Sequence, residues 1–185
     1  MLVKMKAIIL AAGYATRLYP LTLDTPKTLL LIGNKPMLDY IIEKIEQINE
    51  VDIIYIITNN KFFNQFAEWS KTYKSKNQIK ILNDNTNSNE DRLGAIGDVN
   101  FLMNKEKIDD DIIVIGSDNM FEFDLRKMIN FYKTKIWTPG KAEELANHEV
   151  VEHLRRMNDW RNRIKSGKMP DVVGQTIVHG PESIV

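Results

Sequence analysis

The chain has 185 residues, 25 lysines and arginines against 25 aspartates and glutamates, and no cysteine. That balance gives no global pull toward nucleic acid or an acidic partner. The missing cysteine excludes disulfides, thiolate catalysis and zinc sites built on sulfur, and is compatible with a cytoplasmic location. The length suffices for one well-buried domain with an appendage.

No apolar run approaches the roughly 20 residues that span a bilayer, so no membrane partner is expected and the protein is read as soluble. Met1 to Lys6 followed by the apolar residues 7–12 imitates a signal peptide. The run is too short, and Arg17 and Lys27 follow it in a pattern with its own explanation.

In chain order, residues 7–10 form a first strand with no polar side chain. It ends in the small residues Ala11, Ala12 and Gly13, with Thr16, Arg17 and Lys27 close behind. Small residues at a strand end, backed by two cations, suit a phosphate-rich ligand. Residues 36–49 read as a helix with Leu38, Ile41, Ile42, Ile45 and Ile48 on one face and Pro36 in its first turn. The β-branched run at residues 51–58 is too continuous for a one-sided strand and predicts cover on both faces.

Asn59 and Asn60 mark a turn. A helix over residues 61–73 presents Phe62, Phe66, Trp69 and Tyr73, and residues 78–82 form a third strand. Residues 83–90 make a polar, asparagine-rich loop in which Asp84 reads as a solvated carboxylate. A helix follows over residues 93–104, then a strand over residues 111–117 that ends at Asp118 and Asn119. Asp124 caps a further helix with Leu125, Met128, Ile129 and Tyr132 facing inward.

This alternation predicts an α/β fold: a mostly parallel, Rossmann-like sheet with helices on both faces. Ligands bind such sheets at the carboxyl ends of the strands, and Gly13 and Asp118 both stand there. After Lys135 the alternation stops. Thr138, Pro139 and Gly140 break the chain, residues 141–165 read as one long helix, and residues 169–185 hold one short strand at most. The division is therefore residues 1–135 as a nucleotide-binding domain and residues 136–185 as a helical C-terminal tail.

The P-loop pattern fails because no Gly-Lys-Ser or Gly-Lys-Thr follows Gly13, and the dinucleotide fingerprint fails because Gly13 stands alone. What remains is Leu-Ala-Ala-Gly-x-x-Thr-Arg-Leu-x-Pro-Leu-Thr over residues 10–22, then Pro26 and Lys27, then Lys35, Pro36 and Met37. This resembles the signature of the sugar-phosphate nucleotidyltransferases, the family of glucose-1-phosphate thymidylyltransferase, which bacterial phosphocholine cytidylyltransferases share. The resemblance extends to about Lys135. Residues 92–97 resemble the family's second nucleotide loop, with Gly94 and Ala95 approaching the base. Residues 116–119 resemble its Gly-Asp-Asn segment. One departure is Ala15, at a position often held by glycine, where a modest effect is expected because alanine is small.

The resemblance implies transfer of a nucleoside monophosphate from a nucleoside triphosphate to a sugar 1-phosphate or phosphocholine, with release of pyrophosphate. It implies nucleotide contacts from Leu10, Ala11, Ala12, Gly13, Thr16, Arg17, Gly94 and Ala95. Arg17 and Lys27 take the catalytic roles, and Asp118 holds Mg²⁺. Such a transfer needs little covalent help, only two anions held together with their charge offset.

Each residue has a plainer alternative. Taken alone, Arg17 and Lys27 read as surface cations, a reading that the full signature outweighs; Asp118 has the alternative of a turn residue after a strand, and Gly94 reads equally as a helix-packing glycine. In the tail, His148 and His153 imitate a zinc-protease motif. Five residues apart on a helix, they lie about 140° around the axis and share no face. Arg155, Arg156, Arg161, Arg163, Lys165 and Lys168, with Trp160 among them, read as a solvated face ahead of a nucleic-acid helix.

The family continues past its aspartate segment with more sheet, a Glu-Lys-Pro segment and a second metal-binding aspartate. No Glu-Lys-Pro follows Lys135, and Asp159 and Asp171 lack the matching context. The expectation is a nucleotide half without the acceptor half. Beside transfer stand a catalytically impaired nucleotide-binding module whose tail mediates assembly, as a homo-oligomer, and a nucleic-acid-associated protein.

Overall fold

The structure is a computed structural model that describes residues 4–118 and 120–135. The expectations for the tail, including its long helix, its histidines and its basic residues, lie outside the described residues. In order, the chain forms β1 (Met5–Leu10), the short strands β2 (Leu31–Ile32) and β3 (Lys35–Pro36), helix α1 (Met37–Ile45) and β4 (Val51–Thr58). It continues with α2 (Phe63–Thr72), β5 (Gln78–Asn83), α3 (Gly94–Glu106), β6 (Asp111–Gly116) and α4 (Leu125–Lys135).

The main sheet runs β5-β4-β1-β6, with every pairing parallel. Ile9 of β1 stands opposite Ile56 on one side and Ile115 on the other. Right-handed crossovers place α1 and α2, which carry the chain outward from β1 to β4 to β5, on one face. The return from β5 across to β6 carries α3 on the opposite face. The direction of travel reverses between β1 and β6, and at that boundary adjacent loops splay apart and leave a crevice.

The burial explains the sequence pattern. Ile8, Ile9, Ile54, Ile56 and Ile57 are fully buried in the central strands, as are Leu38, Ile42 and Ile45 on α1 and Phe62 and Phe66 beside and within α2. Removing such a side chain from water contributes about 1.5–3 kcal/mol. All of residues 54–58 are buried, as a strand covered on both faces requires.

Several boundaries moved for physical reasons. β1 starts at Met5 because the Lys6 ammonium, although buried, meets Asp52 at 2.7 Å and Asp110 at 3.2 Å. Pro36 lies outside α1: it is extended and pairs with Leu31 in a small hairpin turned at Gly33, where φ is +66°. The helix therefore starts at Met37 and stops at Ile45, yet Ile48 stays buried in the turn that follows. At the start of α4 the Asp124 carboxylate accepts the Arg126 backbone N–H at 2.9 Å, the expected cap. Leu125 and Ile129 are buried, while Met128 and Tyr132 are only half-buried.

The sheet and helices α1–α3 belong to one compact unit in which the described residues run to Arg126. A second unit begins at Lys127, inside α4, and is described only to residue 135.

Candidate functional site

The chain leaves β1 pinned on both sides. The Ala11 N–H donates to the Ile57 carbonyl at 2.8 Å, and the Ser117 N–H donates to the Leu10 carbonyl at 3.1 Å. Ala11 and Ala12 are buried, and the Ala12 carbonyl accepts from the Asn59 amide at 2.9 Å. The same fully buried Asn59 accepts the Phe62 N–H at 3.1 Å, so one side chain braces the β1 exit against the start of α2.

Past this brace Gly13 is exposed, and a Cβ built there would meet nothing within 4 Å. The fold makes no steric use of this glycine. Its open backbone is where a ligand can come close.

Ala15 adopts φ 48°, ψ 39°, in the left-handed region, so glycine has a conformational advantage at this position. Its carbonyl is held by the buried Thr22 hydroxyl at 2.8 Å. Thr16 and Arg17 follow in a 3₁₀ turn, Thr16–Leu18, and both are exposed. Among the described residues the Arg17 guanidinium has no carboxylate partner.

Lys27 opens a second 3₁₀ turn, Lys27–Leu29. The next residue, Thr28, is buried, and its hydroxyl donates to the Ser117 hydroxyl at 3.0 Å, tying this turn to the end of β6. The tie sets the Lys27 ammonium 3.5 Å from the Asp118 carboxylate, with the two side chains 33% and 56% exposed. A cation and an anion this accessible can each exchange partner when an ionic ligand arrives.

Gly94 and Ala95, the first residues of α3, are exposed. Gly94 has φ +74° and nothing within 4 Å of a built Cβ, so it is not the helix-packing glycine. At Gly97, by contrast, a Cβ would lie 2.7 Å from the side chain of Leu93, the cap residue of the same helix.

The loop after β5 is less solvated than its composition predicts. Asp84 is only 5% exposed, which corrects its reading as a solvated loop carboxylate. Its backbone extends the sheet by donating to the Thr58 carbonyl at 2.9 Å, and its carboxylate accepts the Thr86 N–H and hydroxyl, each at 2.8 Å. The buried Thr86 hydroxyl lies 3.4 Å from the Tyr14 hydroxyl, linking this loop to the one after β1. Asp98 on α3 is also 5% exposed, and one of its oxygens is buried without a partner. Burial, then the neighbouring Asp84, pushes its carboxyl up to about 7.

Asn59, Tyr14, Thr86 and Asp98 were missed in the sequence. Only Asp98 left a usable signal, one helical turn before the buried Leu102 on the apolar side of α3.

A magnesium site needs oxygen donors, and Mg²⁺ commonly takes one or two carboxylates and completes its shell with phosphate oxygens and water. Asp118 is such a donor, accessible and facing the crevice-side cation Lys27. Among the described residues no group of three or more His, Asp or Glu side chains is arranged to hold a metal, so a bound ion would depend on the ligand's oxygens.

The fold is thus a Rossmann-like α/β fold, with helices on both faces of a parallel sheet. Residues 6–138 match the nucleotidyl transferase family, and the chain belongs to that family. A mannose-1-phosphate guanyltransferase of Debaryomyces hansenii is 30% identical over 156 residues, covering 82% of this chain and 42% of that protein. A bifunctional protein GlmU of Methanococcus vannielii is 35% identical over 172 residues, covering 88% of this chain and 37% of that one. Among solved structures, the CTP:phosphocholine cytidylyltransferase of Streptococcus pneumoniae superimposes with a TM-score of 0.51 at 29% identity. That match covers 66% of this chain and 49% of that one. The chain spans less than half the length of the curated relatives it matches. Among the described residues no helix is long and apolar enough to cross a membrane.

Proposed function

We propose that the chain holds a nucleoside triphosphate with Mg²⁺ at the β1–β6 boundary and transfers its nucleoside monophosphate to a sugar 1-phosphate or phosphocholine, releasing pyrophosphate in the cytoplasm. The observation that carries this reading is the accessible Lys27–Asp118 pair at 3.5 Å, with Arg17 free of a carboxylate partner among the described residues and the Gly13 backbone open. In the reaction an acceptor phosphate oxygen attacks the α-phosphorus in line, a bond to that oxygen forms, and the bond to the leaving pyrophosphate breaks.

Gly13 and its neighbours offer backbone N–H groups to the phosphates. Arg17 grips the triphosphate and then the departing pyrophosphate through a guanidinium fork suited to phosphate oxygens. Lys27 holds the phosphates nearer the reacting centre, moving away from Asp118 to do so. Asp118 would bind Mg²⁺, which, when present, offsets phosphate charge. Gly94 and Ala95, exposed at the start of α3, stand where the base approaches.

Residues 1–135 are assigned the nucleotide and residues 136–185 a role in assembly as a homo-oligomer. The test is incubation of the full chain with each nucleoside triphosphate, Mg²⁺ and a panel of sugar 1-phosphates and phosphocholine. Acceptor-dependent pyrophosphate release is expected. Nucleotide binding without pyrophosphate from any acceptor would leave the chain a binding module.

A further inference from the structure

We propose that Lys27 and Asp118 form a latch across the ligand-free site, each occupying the other, so that a triphosphate and a divalent cation bind cooperatively. The two ligands are those of the binding reading above, on which the latch rests.

Three observations carry it. The Lys27 ammonium stands 3.5 Å from the Asp118 carboxylate, and among the described residues neither forms another ion pair. The backbone beneath the pair is anchored without it. Thr28 and Ser117, the residues next to Lys27 and Asp118, are buried and joined hydroxyl to hydroxyl at 3.0 Å, and the Ser117 N–H donates to the Leu10 carbonyl. The pair can therefore part by side-chain rotation alone, since its side chains are 33% and 56% exposed. Pairing is also selective: Arg17, the other cation near the β1 exit, has no carboxylate partner among the described residues.

A triphosphate that takes Lys27 must part it from Asp118, which leaves a carboxylate facing phosphate oxygens. A divalent cation that takes Asp118 must part the same pair, which leaves an ammonium facing the metal. Either ligand alone bears the whole cost of opening, and the second finds the pair already open. The coupling is reciprocal, because each ligand changes the affinity for the other by the same factor. An accessible ion pair contributes modestly, so opening it accounts for about a two- to fivefold change in affinity, beyond the direct attraction between the ligands. The latch thus favours the metal–triphosphate complex over either part.

The experiment uses the full chain as wild type, Lys27→Met, Asp118→Asn and their combination, and as Arg17→Ala with and without Asp118→Asn. Calorimetry measures affinity for each nucleoside triphosphate with divalent cations chelated. Electron paramagnetic resonance measures affinity for Mn²⁺ alone, an ion that suits the same oxygen ligands as Mg²⁺. Both side chains are accessible, so the variants should fold, which circular dichroism checks.

Asp118→Asn should bind metal-free triphosphate more tightly than wild type. That gain should shrink by about two- to fivefold in the Lys27→Met background. It should persist in Arg17→Ala, which removes a cation outside the latch. Lys27→Met should hold Mn²⁺ more tightly than wild type by a similar factor. Equal gains from Asp118→Asn in the wild-type and Lys27→Met backgrounds would mean that the carboxylate acts on the phosphates only through space. That result would overturn the latch and leave the binding reading intact, as would an unchanged Mn²⁺ affinity in Lys27→Met. Triphosphate binding by none of the proteins would sink the binding reading and the latch with it.

Discussion

Two groups of residues at the strand ends handle charge in opposite ways. Along residues 13–27 and at Asp118, the ionic groups Arg17, Lys27 and Asp118 are accessible, and what holds them is buried and neutral: Asn59, Thr22, Thr28 and Ser117. At the β5 exit and on α3, the carboxylates Asp84 and Asp98 are themselves buried, and Gly94 and Ala95 are exposed. A group that meets an ionic ligand does so at lowest cost if it stays hydrated until the ligand replaces water. A group that only positions backbone is strongest where water cannot compete.

This contrast can be broken at several points, and the largest expected effect is at Asp118. Replacing it with asparagine should reduce Mg²⁺-dependent pyrophosphate release by about 10²–10³-fold, the range for losing one charge-stabilising group, with an unchanged circular dichroism spectrum. Activity retained within a few-fold would remove Asp118 from the proposed site.

Asn59→Ala attacks the neutral brace beneath the loop after β1. It strands the Ala12 carbonyl and the Phe62 N–H, and should cost about 2–3 kcal/mol in urea denaturation. A loss below half a kilocalorie per mole would show that the loop after β1 is held some other way.

Arg17→Ala should weaken triphosphate binding by about tenfold in calorimetry, the effect of one charge-assisted contact, while leaving stability unchanged because the side chain is exposed and has no carboxylate partner among the described residues. Loss of stability without loss of affinity would reverse its assignment. The smallest effect belongs to Ala15→Gly. Relieving the left-handed alanine should stabilise the fold by about 0.5–1 kcal/mol, a rise of a few degrees in melting temperature. A drop would mean that the strain of the left-handed alanine is smaller than the added freedom of glycine in the unfolded chain.

Much of the scaffold was legible in the residues. The run at 51–58 matches β4 end to end, and the helix read at 93–104 lies within two residues of α3 at both ends. Long apolar runs and helical periodicities are local signals. The β2–β3 hairpin was not legible, because strands of two residues carry no period, and Pro36 was read as helix when its pairing with Leu31 holds it extended. The asparagine-rich loop misled in the same way. Its composition is polar, but Asp84 and Thr86 satisfy each other and continue the β4–β5 pairing, so they are buried where isolated polar residues would not be.

The alternating α/β order, the parallel sheet that this order requires, and the strand ends that carry Gly13 and Asp118 are all written in the residues. These follow from local periodicity and from the handedness of crossovers. The fold alone settles that Lys27 stands 3.5 Å from Asp118, that Asn59 braces the β1 exit, and that Asp84 and Asp98 are both buried. Each of these joins residues distant in the chain through the order β5-β4-β1-β6. Burial and charge pairing are properties of the neighbours a fold supplies, and the residues alone do not name those neighbours.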